Sequence, residues 1–160
     1  ADMWNTGMNA IVMRYAEVLL MYAESKIELN QIDASVYEAL DAIRTRAGMP
    51  TVDKAIYNNQ SKMRELVRRE RRVELALEGL RWFDICRWKI GEQVMPGQVY
   101  GALLGTVDAE TGALNLTDER IKVEIRLFDP AKHYLWPIPQ SVIDASVANG
   151  EPTMVQNPGY

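Results

Sequence analysis

Residues 14–50, RYAEVLLMYAESKIELNQIDASVYEALDAIRTRAGMP, hold the pattern that decides the fold. Apolar side chains recur between residues 11 and 30 at the spacing of one helical face. A second stripe follows over 36–47, where Ser35 and Glu38 predict a capping box at its start and Gly48 and Pro50 end it. Because only a short polar segment separates the two stripes, we expect two antiparallel helices that form a hairpin.

The hairpin resembles a tetratricopeptide unit. Small residues occupy the positions where the helices would cross, and Pro50 follows Tyr15 by about 35 residues. A single unit of this kind cannot bury its own apolar face, so we expect it to need helical neighbours.

The composition is that of an ordinary folded protein. With 160 residues, of which 48% are hydrophobic and 25% charged, the chain is long enough for one core. We therefore expect a single domain over 1–160, helical over 11–90 and built of loops, short strands and a short helix over 91–160. The net charge of −4 argues against nucleic-acid binding, which needs a basic surface.

Residues 66–89, LVRRERRVELALEGLRWFDICRWK, follow the hairpin with eleven formal charges. We predict a helix over 62–78, capped by Ser61 and interrupted by Gly79, and a shorter helix over 80–88. On a helical wheel with Leu66 at zero, Val73 and Leu77 share the apolar stripe, and Glu70 falls within it at about 40°. Glu74 lies at the edge of this apolar stripe, and Arg68, Arg71 and Arg72 fall outside it.

A carboxylate on a core face costs several kcal/mol unless a cation and hydrogen bonds satisfy it. We therefore expect Glu70 and Glu74 to be buried and paired with arginines, since guanidinium binds carboxylate through two parallel hydrogen bonds. The candidate partners are Arg14, Arg44, Arg46, Arg81 and Arg87.

Three functional interpretations compete with this structural one. The acids interleaved with the arginines weigh against a nucleic-acid grip. Paired glutamates can serve as general acid and base, as in helical glycosidases, but surrounding arginines would lower their pKa values. A helical di-iron site needs histidines near glutamates, and the sole histidine is His133. We expect no metal and no cofactor.

Residues 91–160 lose the helical pattern. We expect loops, a small hairpin around Asp108–Gly112, a strand over 123–128 and an extended segment over 133–139, where each proline keeps the preceding residue out of the helical region. Cys86 and His133 form a conceivable nucleophile and base, although a packed thiol is the better interpretation.

Aromatic side chains are the surfaces on which sugars stack. Trp82, Trp88 and Trp136 lie in segments that indicate packing, so the core is their expected place. Trp4 and Tyr100 lie in loop-like, glycine-bordered segments. They are the candidate ligand-binding residues.

Four stretches together resemble the carboxy-terminal part of SusD/RagB-family proteins. They are RYAEVLLMYAES (14–25), ALDAIRTRAGMP (39–50), ELVRRERRVELALEGLRWFDICRW (65–88) and YLWPIPQSVIDAS (134–146) with the final QNPGY. The resemblance implies an α-α superhelix and makes Glu70, Glu74, Glu78, Asp84 and the arginines around them, including Arg81 and Arg87, framework residues.

The resemblance also implies a function. Such proteins are cell-surface lipoproteins of Gram-negative outer membranes that bind oligosaccharides and cap a SusC-like TonB-dependent transporter. It implies nutrient capture without catalysis, and a lipid anchor in an amino-terminal region that this chain lacks. Two alternatives stay open: a tetratricopeptide-like protein-interaction scaffold without a glycan site, and an all-helical glycoside hydrolase.

Overall fold

A computed structural model describes residues 12–149 and 154–160, which form six helices and one two-stranded sheet. The predicted class, mainly α with a small β-hairpin, is confirmed. The chain divides into two compact units, Ala1–Arg81 and Trp82–Tyr160. That residues 1–160 act as a single domain stays a prediction.

The first unit is a three-helix assembly. Its helices are α1 (Tyr15–Glu28), α2 (Ala34–Arg46) and α3 (Gln60–Glu74), and α1 packs against both others. The core consists of side chains that the three helices remove from water, each worth roughly 1.5–3 kcal/mol of burial. Its largest members are Leu20, Ile27, Val36, Leu40, Met63, Leu66 and Val67.

Two helix caps lie two residues earlier than the sequence pattern predicts. Asp33, rather than Ser35, caps α2, and its Oδ1 accepts a hydrogen bond of 3.0 Å from the Ser35 backbone N–H. Asn59, rather than Ser61, caps α3, and its Oδ1 accepts from the Lys62 N–H at 3.1 Å. In both cases Asp or Asn supplies the acceptor that the first free backbone amides require.

The helix α3 ends earlier than predicted, and its buried face is rotated. Leu75 is the C-cap, Leu77 adopts a left-handed φ of 67°, and both Val73 and Leu77 are exposed. Arg71, predicted to point away, is buried. The buried stripe is centred about 75° from Leu66, because α3 turns this side toward its neighbours.

The second unit contains short helices and one β-hairpin. Its elements are α4 (Arg81–Trp88), which begins at the last residue of the first unit, then α5 (Gly91–Val94), β1 (Gly97–Val107), β2 (Leu114–Arg126) and α6 (Gln140–Ala148).

The strands β1 and β2 pair antiparallel with register shifts. They are much longer than the predicted strand over 123–128. In the turn between them, Asp108 Oδ1 accepts from the Thr111 N–H at 2.7 Å, and the Gly112 N–H donates to the Asp108 carbonyl at 2.9 Å. The expected turn around Asp108–Gly112 is therefore present.

The extended segment predicted over 133–139 is present only over 136–139, because residues 131–134 form turns and Leu135 lies in a bend. Hydrogen bonds with side chains of residues 156–160 hold this part of the chain. The Ile138 N–H and carbonyl both pair with the side-chain amide of Gln156, at 2.7 and 2.9 Å. Asn157 Nδ2 donates to the Trp136 carbonyl at 2.6 Å, and the Tyr160 hydroxyl donates to the Leu135 carbonyl at 3.1 Å. Side-chain hydrogen bonds thus replace the ladder that a β-strand partner would provide.

Across the part of the chain that the structure describes, no helix has the length and apolar character needed to cross a bilayer.

Candidate functional site

Glu74 joins the ends of three helices. Its Oε1 accepts from Arg14 Nη1 at 2.8 Å, and its Oε2 accepts from Arg46 Nη2 at 2.7 Å. Arg14 Nη2 also donates to the Glu74 carbonyl at 2.9 Å. Arg14 immediately precedes α1, Arg46 ends α2 and Glu74 ends α3. The carboxylate, whose side chain is only 10% exposed, therefore cross-links the hairpin to the third helix.

Two further glutamates of this region bind guanidinium groups. Arg44 Nη1 donates to Glu70 Oε1 at 2.5 Å, while Arg44 Nε donates to the Pro50 carbonyl at 2.7 Å. Arg14 Nη2 donates to Glu78 at 2.6 Å. This hydrogen bond lowers the pKa of the Glu78 carboxyl and raises the pKa of Arg14.

The remaining charged framework residues lie in α4. Asp84 is buried and accepts from Arg87 Nε at 2.9 Å, one helical turn along. Arg81 is half-buried at the first position of the helix. Arg87 therefore forms an ion pair within its own helix.

These contacts suit architecture better than acid-base catalysis. Glu70 and Glu74 line a depression of about 270 Å³, but Arg44 and Arg69 line it too. Guanidinium groups already hydrogen-bond both carboxylates, so neither is free to take part in acid-base chemistry on a substrate.

The two predicted ligand-binding aromatics have different outcomes. Trp4 lies outside the described residues. Tyr100 lies on β1, opposite Lys122 of β2, and is 50% exposed. Its role in binding stays a prediction.

Trp136 departs from its expected place in the core, because 71% of its surface is exposed. The cause is local: Pro137 and Pro139 keep the segment extended, so neighbouring side chains point to opposite sides. The two X-Pro steps are the sequence signal for this exposure, and the prediction that Trp136 packs in the core like Trp82 and Trp88 did not take them into account.

Trp136 lies at the edge of an aromatic pocket in the second unit, with a cavity volume of about 360 Å³. We name this the Trp136 pocket. It is lined by Trp82, Met95, Leu127, Phe128, His133, Leu135, Trp136, Pro137 and Tyr160.

Contacts within the second unit fix the walls of the Trp136 pocket. Phe128 packs edge-on against His133 and Tyr134, with ring centroids 5.5 and 4.9 Å apart. The Tyr134 hydroxyl accepts from the Gly91 N–H at 2.8 Å and donates to Glu92, which lowers the pKa of that carboxyl. The walls are therefore set before any ligand arrives.

The alternative Cys86–His133 pair gains no support. Burial raises the pKa of the Cys86 thiol, which disfavours the nucleophilic thiolate. His133 Nδ1 accepts a hydrogen bond of 2.8 Å from the Asp129 N–H. Among residues 12–149 and 154–160, no three His, Cys, Asp or Glu side chains gather as a metal site would require.

Comparisons with known proteins identify the family to which the chain belongs. The SusD family (SusD_RagB) matches residues 1–160, and the chain belongs to this family. Similar curated proteins from Formosa agariphila include SusD-like protein P2, 38% identical over 97 residues, and SusD-like protein P38, 33% identical over 93. SusD-like protein P25 is 36% identical over 88 residues.

Each of these alignments covers only part of this chain and only part of the relative. They cover 56%, 54% and 54% of this chain and 19%, 18% and 16% of the respective relatives. The chain thus spans less than a fifth of the length of the curated relatives it matches. No solved structure matches it.

Proposed function

We propose that this chain is part of a cell-surface protein that binds oligosaccharides without cleaving them and passes them to a SusC-like TonB-dependent transporter. The protein would be held at the outer membrane by a lipid anchor. Nutrient uptake is its role.

The observation that carries this proposal is the SusD-family match over residues 1–160. Two structural features support it. The acidic side chains on α3 are held by Arg14, Arg44 and Arg46, which leaves them poorly placed for hydrolysis. The Trp136 pocket supplies the kind of aromatic surface on which sugar rings pack.

A glycan array probed with the chain tests the proposal. We expect retention on at least one class of oligosaccharide and no change in the size of the bound glycan on prolonged incubation. Shortening of a glycan that stops in Glu70→Gln would instead establish a glycoside hydrolase. In that case the noncatalytic function would be wrong.

A second function, a protein-interaction scaffold, is favoured by one observation. The outer face of α1 exposes Tyr15, Val18, Met21 and Tyr22. A groove of about 440 Å³ runs beside it, lined by Tyr15 and Leu19 with residues of α2. An unpaired apolar helical face is a common protein-docking surface. Retention of a purified SusC-like transporter without binding to any glycan would favour the scaffold.

A further inference from the structure

Trp136 is an exposed side chain on an immobilised backbone. Its carbonyl accepts from Asn157 Nδ2 at 2.6 Å, the preceding carbonyl accepts from Tyr160, and prolines fix φ at 137 and 139. A large aromatic ring is therefore presented to solvent on a preorganised segment, so that a ligand need not order the backbone when it binds.

The Trp136 pocket combines apolar walls with hydrogen-bond donors. His133 Nδ1 accepts from the Asp129 N–H, so the neutral ring carries its proton on Nε2, a donor for a ligand oxygen. The indole N–H of Trp136 is a second donor. Lys132 Nζ lies 4.3 Å from the centroid of the Tyr160 ring and adds a cation at the edge.

We propose that the Trp136 pocket is a carbohydrate subsite, in which a pyranose ring stacks on the indole of Trp136. This inference rests on the proposed oligosaccharide-binding function and places part of that function in the second unit. His133 donates to a ring hydroxyl, and Tyr160 lines the same pocket.

The chemistry of the Trp136 pocket favours a sugar over other occupants. A pyranose has an apolar face of C–H groups and a rim of hydroxyls, which matches an aromatic platform bordered by donors. The cavity of about 360 Å³ is at the lower end of the range for small-molecule sites. A protein partner would need about 800 Å² of contact, far more than this concavity offers.

Four substitutions in the 160-residue chain test the proposal. The probes are maltohexaose, cellohexaose, xylohexaose and laminarihexaose, titrated calorimetrically and by tryptophan fluorescence. Trp136→Ala should weaken binding of the preferred probe roughly tenfold or more, as expected for truncation of a central aromatic anchor. Trp136→Phe should retain much of the affinity, because it keeps an aromatic face.

Phe83→Ala is the matched control, since Phe83 is an exposed aromatic of the same unit outside the Trp136 pocket. Tyr100→Ala tests the rival position on β1. Far-ultraviolet circular dichroism tests whether each variant folds. Because Trp136 is largely exposed, its truncation should change the stability of the chain little.

The outcomes separate the subsite from the proposed function. Binding that survives Trp136→Ala, with or without loss in Tyr100→Ala, would overturn the subsite while oligosaccharide binding stands. If the unsubstituted chain binds none of the four probes, both the subsite and glycan binding by this chain are wrong. Loss in Trp136→Ala with Phe83→Ala unchanged would support both.

Discussion

Glu74→Gln should destabilise the first unit by about 2 kcal/mol. The substitution keeps the shape of the side chain but removes the charge that Arg14 and Arg46 share. An exposed ion pair is worth up to about 1 kcal/mol, and breaking a fully buried one costs about 3–5 kcal/mol. Glu74 is mostly buried, whereas the Arg14 and Arg46 side chains are 27% and 61% exposed, which places the effect between these limits.

Urea unfolding followed by helical circular dichroism measures this cost. Glu65→Gln is the matched control, because Glu65 is an exposed carboxylate on the same helix. We expect the control to change the free energy of unfolding by less than about 0.5 kcal/mol. If Glu74→Gln behaves like the control, the ion pairs at the helix ends do not hold the unit together.

Three other predictions concern backbone and charge. Gly91→Ala should lower the thermal midpoint of the second unit, because a Cβ at this position overlaps the Phe128 ring. The expected loss of stability is about 1–3 kcal/mol, and near-ultraviolet circular dichroism reports the repacking of the ring. Leu77→Gly should leave stability unchanged or raise it by about 1 kcal/mol in urea unfolding, since Leu77 is fully exposed and holds a left-handed φ of 67°; a clear loss would show that its side chain is needed. Hydrogen bonding to Lys26 lowers the pKa of Asp33 from its ordinary 3.8 to about 2, so its stabilising contribution is complete above pH 4 and is lost as the pH falls toward 2. Asp33→Asn should flatten the pH dependence of the thermal midpoint across this window, and an unchanged slope would contradict the assignment.

The helical hairpin was predictable because its burial follows a single period. The core positions of α1 and α2 repeat at three and four residues, and short-range spacing is enough to identify such a face. The residues that cap the helices were harder to predict. Asp33 and Ser35 are both good cap residues, and the choice between them depends on where the preceding turn leaves the backbone.

The face of α3 could not be read correctly from its own residues. Val73 and Leu77 are apolar and Arg71 is charged, so hydrophobicity alone places the centre of the buried stripe near Leu66. The observed buried stripe is centred about 75° away from Leu66. Because Leu77 follows the end of α3 at Glu74, it does not share the periodicity on which the wheel depends. Arg71 is buried because the packing of α3 on α1 and α2 decides the buried side.

The two parts of the candidate site, the glutamate–arginine pairs and the Trp136 pocket, likewise differ in how far the sequence could predict them. Pairing of Glu70 and Glu74 with arginines followed from the cost of burying a carboxylate, although the choice of Arg44 for one and of Arg14 and Arg46 for the other depended on tertiary geometry. The Trp136 pocket gathers residues more than seventy positions apart in sequence, from Trp82 to Tyr160. No local pattern connects such distant residues.

The ribbon formed by β1 and β2 has a consequence for the behaviour of the purified chain. In the described residues the two strands pair only with each other, and every residue of β2 is exposed. Each strand therefore offers solvent a row of amides and carbonyls beside Ile121, Val123 and Ile125. Such edges template intermolecular sheets, so concentrated solutions of this polypeptide will be prone to form ordered aggregates, and charged substitutions on the ribbon are the rational route to a well-behaved sample.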